Sequence, residues 1–208
     1  WSATYTRAVM GRLAASGAID AVWHLGDIGY IDDSVWHELG RFTYEETYNG
    51  FMRWMEPVAS SIPYLVSAGN HESECHSPVC LEYLQSLGKP LANFSAFNTR
   101  WSMPSAASGG ALNMWYSWNL GAAHFISANS ETDWLGAEED STGDSHIKEL
   151  PAGGFGAPGE YLRWLEGDLA RANASRATRP WIVVGSHRPF EELNASHGAL
   201  LAKYKVDV

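Results

Sequence analysis

Ala21-Val22-Trp23-His24-Leu25-Gly26-Asp27-Ile28-Gly29-Tyr30 is the stretch that decides the fold class of this chain. Its first five residues are short and largely apolar, as a buried strand is, and they run into Gly26-Asp27, which delivers a carboxylate at the strand's C-terminal end. Open α/β sheets place functional groups at that end of their strands. Upstream, Thr4 to Gly17 repeats apolar residues at helical spacing, with Val9, Met10 and Leu13 on one side and Gly17 as a C-terminal stop. Downstream the same order recurs: a helix over 44–60, an apolar strand over 62–68, then the polar turn Gly69-Asn70-His71-Glu72. Repeated helix, strand and turn predict parallel strands in an α/β fold.

Residues 75–110 are rich in Ser, Pro, Gly and Asn and read as a long excursion with a short helix around 81–87. Two aromatic and apolar runs, 113–120 and 122–129, meet around Gly121 and predict adjacent antiparallel strands. After a loop over 137–158, Pro158-Gly159-Glu160 opens an amphipathic helix to about Asn173, with Tyr161, Leu162, Leu165 and Leu169 as its apolar stripe. Pro180-Trp181-Ile182-Val183-Val184 is the next buried strand and ends at Gly185-Ser186-His187. Residues 199–204 form a helix end, and Val206-Asp207-Val208 reads as the start of a further strand. No repeat or linker divides the chain, so residues 1–208 are expected to be one domain, and one incomplete at both ends.

Hydrophobic residues at 45% and ten Trp demand a packed interior and exclude a disordered tail. The formal net charge of −10, with no Lys/Arg cluster, excludes a nucleic-acid or anionic-membrane footprint. A small phosphate ester remains compatible, because bound metal ions reverse the local charge of a site. No apolar run approaches the roughly 20 residues a membrane-spanning helix requires.

Cys75 and Cys80 are spaced to close a short disulfide loop, and a zinc pair with His71 or His76 is the alternative. Sequons at Asn93, Asn173 and Asn194, together with the cysteine pair and only four lysines, point to a secreted or secretory-lumen protein.

Three strand ends each deliver metal-ligand residue types: Asp27 with Tyr30, Asn70 with His71, and His187. Carboxylate, amide oxygen, imidazole and phenolate suit hard or borderline di- and trivalent ions, and one carboxylate can bridge two of them. Neither a Gly-x-Ser-x-Gly elbow nor a Walker-type glycine loop is present to direct the chemistry elsewhere.

In these blocks the chain resembles the purple acid phosphatases, a branch of the calcineurin-like metallophosphoesterases. That family's ligand blocks run Asp-x-Gly, Gly-Asp-x-x-Tyr, Gly-Asn-His-Glu/Asp, Val-x-x-His and Gly-His-x-His. The middle three occur here in family order, as Gly26-Asp27-Ile28-Gly29-Tyr30, Gly69-Asn70-His71-Glu72 and Val184-Gly185-Ser186-His187. The resemblance extends to Ser130-Glu131-Thr132-Asp133, the helix before Trp181, and Lys203 to Val208. It implies a layered β-sandwich flanked by helices, with the first and last blocks lying outside residues 1–208.

The resemblance further implies a binuclear centre of Fe(III) and a divalent Zn, Fe or Mn ion. Asp27 would bridge the metals, Tyr30 would bind the ferric ion, and Asn70 and His187 would bind the divalent one. His71 would bind a phosphate oxygen or protonate the leaving group as a general acid, and His197, ten residues beyond His187, would be a second substrate-facing histidine. Ions about 3.5–4 Å apart acidify a shared water and neutralise charge on phosphate, so hydroxide would be the nucleophile.

His24, His37, His76, His124 and His146 read as satisfied structural residues, most of the Trp residues as core, and residues 138–144 as a solvated acidic loop. The implied function is acid hydrolysis of small phosphate monoesters, with the rest of the same polypeptide or an extracellular assembly as further partners. A non-catalytic module derived from a phosphatase, and a phosphodiesterase or nucleotide pyrophosphatase, are the competing readings, because substrate choice lies in loops.

Overall fold

The computed structural model describes residues 4–33, 43–73, 92–137 and 153–208. Helix α1 (Thr4–Ala15) stops at Gly17, whose φ of +67° is the left-handed cap that glycine takes without strain. No residue of α1 is buried, and the expected apolar side is only half covered: Val9 and Met10 are half-buried and Leu13 is exposed. The helix packs on α2 (Tyr44–Ala59) through Arg7, which donates to Trp54 O at 3.2 Å and lies over the Trp54 ring.

Strands β1 (Val22–Leu25) and β2 (Tyr64–Ser67) are parallel, with Val22 opposite Tyr64 and Leu25 opposite Ser67. A parallel pair needs a crossover, and α2 (Tyr44–Ala59) lies in that connection. Its buried residues Tyr48, Phe51, Met55 and Val58 recur at the 3–4 residue spacing that puts them on one face. Strand β1 is half-buried rather than buried on both faces, and Leu25 is 39% exposed, because among the described residues only β2 pairs with it.

The single turn α3 (Asn70–Ser73) follows β2. The described part of the excursion expected over 75–110 contains a 3-10 turn (Ala92–Phe94) and the short helices α4 (Ser95–Arg100) and α5 (Ser105–Ser108). Buried Asn113 ties them together, donating to Trp101 O and accepting from Met103 N, both at 2.9 Å.

A second sheet has the order β3 (Tyr116–Leu120), β4 (Ala123–Ser127), β5 (Trp181–Gly185). The β3–β4 pair is the expected antiparallel hairpin, closed by Gly121 at φ +54°. The β4–β5 pair is parallel, with α6 (Glu160–Ala174) in its crossover. Tyr161, Leu165 and Leu169 are each fully buried, which contributes roughly 1.5–3 kcal/mol apiece, and Leu162 is half-buried. Helix α7 (Phe190–Lys203) then brings the chain back, so that residues 207–208 bond the edge of β5. Asp207 N donates to Ile182 O at 2.9 Å and Val184 N to Val208 O at 2.7 Å.

The two sheets face each other. Trp23 of β1 packs edge-on to Trp118 of β3 at 4.9 Å between ring centroids, Ser67 Oγ meets Ser127 Oγ at 2.8 Å, and Tyr116 donates to Val66 O at 2.8 Å. A Cβ on Gly185 would clash with the Trp23 indole, so the close approach of β5 to β1 requires glycine there. The fold is therefore the expected α/β sandwich with helices outside it. Trp181 departs from the core reading at 56% exposed. Among the described residues no helix is long and apolar enough to cross a membrane.

Candidate metal centre

Strands β1, β2 and β5 deliver Asp27, Asn70 with His71, and His187 to one place, and two glycines allow the strand ends to close on one another. A Cβ on Gly26 would lie 2.6 Å from His187 Nδ1 and 2.8 Å from Gly69 Cα. On Gly69 it would lie 2.6 Å from both the amide nitrogen and Oδ1 of Asp27. Asp27 and Tyr30 themselves hold positive φ, +54° and +46°. Such strain in non-glycine residues persists only where the surroundings over-determine it, which is characteristic of functional sites.

The surroundings here are the carboxylate of Glu72. Its Oε2 accepts from Asp27 N and Gly69 N at 2.8 Å, and its Oε1 accepts from Ile28 N at 2.6 Å. Glu72 thereby laces the turn after β1 to the turn after β2. Burial, followed by the Asp27 charge, pushes its carboxyl up to about 8 against the pull of those three amides.

His187 Nδ1 lies 2.8 Å from Leu25 O, which is only an acceptor, so Nδ1 carries the proton and Nε2 presents its lone pair. That lone pair sits 3.0 Å from Asn70 Oδ1 and 3.3 Å from Asp27 Oδ1. Three electron-rich atoms from three strand ends thus converge, an arrangement suited to a cation among them. Oxygen, amide and imidazole are donors a divalent ion accepts, so the residues fit the implied metal. Among the described residues no group of three or more His, Cys, Asp or Glu side chains gathers for a metal; this cluster draws instead on an amide and a phenol.

Tyr30 is 45% exposed, hydrogen-bonds the Asp27 carboxylate, and packs against the His71 ring at 4.5 Å. Burial and then Asp27 push its phenol up to about 12. His71 donates Nδ1–H to Asp32 Oδ2 at 2.7 Å. Asp32 is 0% exposed, at the 3-10 turn Ile31–Asp33.

Asp27, Tyr30, Asn70, His71 and His187 are therefore brought together, whereas His197 is not. It is 1% exposed within α7, its Nε2 2.8 Å from Tyr161 OH, its Nδ1 2.6 Å from Ser196 Oγ, and its ring edge-on to Trp134. None of those partners belongs to the cluster, and burial pushes its imidazole down to about 4, so the structure makes it a neutral core residue rather than a substrate-facing one. His24 and His124 are satisfied as expected, by Tyr64 OH and by Asp168 with Asn119. Asn93, Asn173 and Asn194 are exposed. Cys75, Cys80, His37, His76 and His146 lie outside the described residues.

Reading by ligand type passed over Asp32 and the roles of Glu72, Glu131 and Arg188. Asp32 had one signal, a carboxylate two residues beyond Tyr30 in the same turn. Nothing in the spacing distinguished it from Asp33.

The sequence pattern of the calcineurin-like phosphoesterases matches residues 1–208. The chain is 35% identical over 184 residues to mouse acid phosphatase type 7, an alignment covering 88% of this chain and 32% of that protein. It is 30% identical over 215 residues to an acid phosphatase of Aspergillus ficuum (79% and 34% covered) and 29% over 172 residues to purple acid phosphatase 22 of Arabidopsis thaliana (83% and 30%). It thus spans about a third of the length of these relatives. By this match over its whole length, the chain belongs to the calcineurin-like phosphoesterase family.

Proposed function

We propose that this chain carries part of a two-metal centre that hydrolyses small phosphate monoesters at acid pH. Asp27 and Tyr30 would hold a ferric ion, and Asp27, Asn70 and His187 a divalent one. The observation that carries this reading is the convergence of His187 Nε2, Asn70 Oδ1 and Asp27 Oδ1 within 3.0–3.3 Å. When bound, the metal pair supplies charge neutralisation at phosphate and acidifies water.

The chain's own residues do the rest. Leu25 O takes the Nδ1 proton of His187 and so fixes the tautomer whose Nε2 can ligate. Asp32 likewise orients His71, which acts as the general acid toward the leaving alkoxide. Glu72 holds the backbone under Asp27 and Gly69, so the Asp27 carboxylate does not have to reorganise. The names of the relatives, acid phosphatase and purple acid phosphatase, support the substrate class and the acid setting. Exposure of all three sequon asparagines supports a secreted glycoprotein, and a Cys75–Cys80 disulfide belongs to the same reading.

Purified full-length protein should contain two metal ions per chain, release phosphate from p-nitrophenyl phosphate, and show a visible phenolate-to-iron band that disappears in Tyr30→Phe. A colourless protein without metal or phosphatase activity overturns the proposal.

A further inference from the structure

Beside His187 lies a partly buried ion pair that the chemistry above does not use. Glu131 is 0% exposed, in the turn after β4, and Arg188 is the residue after His187 in the turn after β5. Arg188 Nε and Nη2 both donate to Glu131 Oε2 at 2.9 Å. Glu131 Oε1 accepts from Ser130 Oγ at 2.5 Å, and the same hydroxyl oxygen accepts from Arg188 N at 3.2 Å. The peptide that leaves His187 is thereby pinned through its backbone and again through the next side chain.

The platform it is pinned to is itself rigid. Asn129 Oδ1 accepts from Glu131 N at 3.0 Å and Thr132 N at 3.3 Å, and Asn129 Nδ2 donates to Thr132 O at 2.8 Å. Ala128 N donates to Gly185 O at 2.9 Å, continuing the β4–β5 ladder to the last residue before Ser186. On the far side Arg188 Nη1 lies 3.6 Å from Glu192 on α7.

A buried Arg–Glu pair roughly breaks even on stability against an apolar replacement, because desolvating both charges costs about what their attraction returns. Its benefit here is geometric. The His187 ring is held from one side by Leu25 O, which sets its tautomer but not where the backbone places it. A ligand nitrogen must be held within about 0.5 Å of its working position, and the Glu131–Arg188 pair supplies that second constraint.

We propose that Glu131 and Arg188 are positioning residues that hold His187 Nε2 in line with Asn70 and Asp27 for metal binding. The inference rests on the reading of His187 as a metal ligand. It is tested on the full-length protein by zinc affinity, measured in competition with a chromogenic chelator, and by urea unfolding in EDTA. Arg188→Lys keeps the charge and removes the two-pronged contact, Glu131→Gln removes the charge, and Arg176→Lys perturbs an ion pair at the far end of β5 that binds Asp207. Arg188→Lys and Glu131→Gln should weaken zinc binding roughly 10–100-fold, as loss of an orienting partner does. Arg176→Lys should leave it unchanged. Should Glu131→Gln not fold, the conservative Arg188→Lys decides alone. If His187→Ala weakens zinc binding while Arg188→Lys binds within twofold of wild type, the positioning role is refuted and the ligand reading stands. If His187→Ala itself binds zinc normally, the ligand reading fails, and the positioning role with it.

Discussion

Replacing His197 by Gln should flatten the acid sensitivity of this fold. The His197 imidazole is 1% exposed and bonded to Tyr161 OH and Ser196 Oγ, and burial pushes it from 6.5 down to about 4. Between those values the unfolded chain binds a proton that the folded chain refuses. The stability held by neutral His197 is therefore full above pH 6.5 and is lost as pH falls through about 4. Between about pH 7.5 and about pH 4.5 the loss is on the order of 2–3 kcal/mol. Urea unfolding followed by tryptophan fluorescence, at both pH values, measures it. In His197→Gln, which keeps a neutral donor and acceptor without a titrating ring, the pH-dependent drop in unfolding free energy should shrink by on the order of 2 kcal/mol. An equal drop in both proteins refutes the argument, as does an NMR titration that places His197 near its ordinary value. Phosphatase turnover per folded molecule should be unchanged, because the ring touches none of the cluster residues.

Other perturbations probe the site and the core. Gly26→Ala sets a Cβ 2.6 Å from His187 Nδ1 and strains a φ of +82°, so metal content after dialysis should fall while far-UV dichroism stays near wild type. Asp32→Asn leaves His71 without its carboxylate, and kcat should drop by roughly 10²-fold with two metals retained; loss of metal instead would make Asp32 a support of the ligands. Leu165→Ala empties a site that is 0% exposed and should cost about 2–5 kcal/mol in urea unfolding, with metal affinity per folded molecule unaffected.

Much of the fold was legible because it was written in local patterns. The stripe Tyr48, Phe51, Met55, Val58 on α2, the hairpin around Gly121 and the Tyr161–Leu169 face of α6 each follow from a spacing of two or of three to four residues. The helices over 92–108 were missed because their turns are short and held by Asn113, a contact no local spacing announces. The core placement of His197 was likewise invisible, since its burial depends on Trp134 and Tyr161 from other parts of the chain.

By itself the sequence determined which donor atoms this protein carries. Asp27, Tyr30, Asn70 and His187 stand at strand ends because apolar runs stop at Gly26, Gly69 and Gly185, and a strand's end is a local property. Only the tertiary structure decided that these ends meet, that Nε2 rather than Nδ1 of His187 faces Asn70, and that Glu72, Asp32 and the Glu131–Arg188 pair hold them there. The physical reason is the range of the interactions. Backbone preference and hydrophobic period act over a few residues, whereas a hydrogen bond between residues 25 and 187 exists only once two sheets have packed.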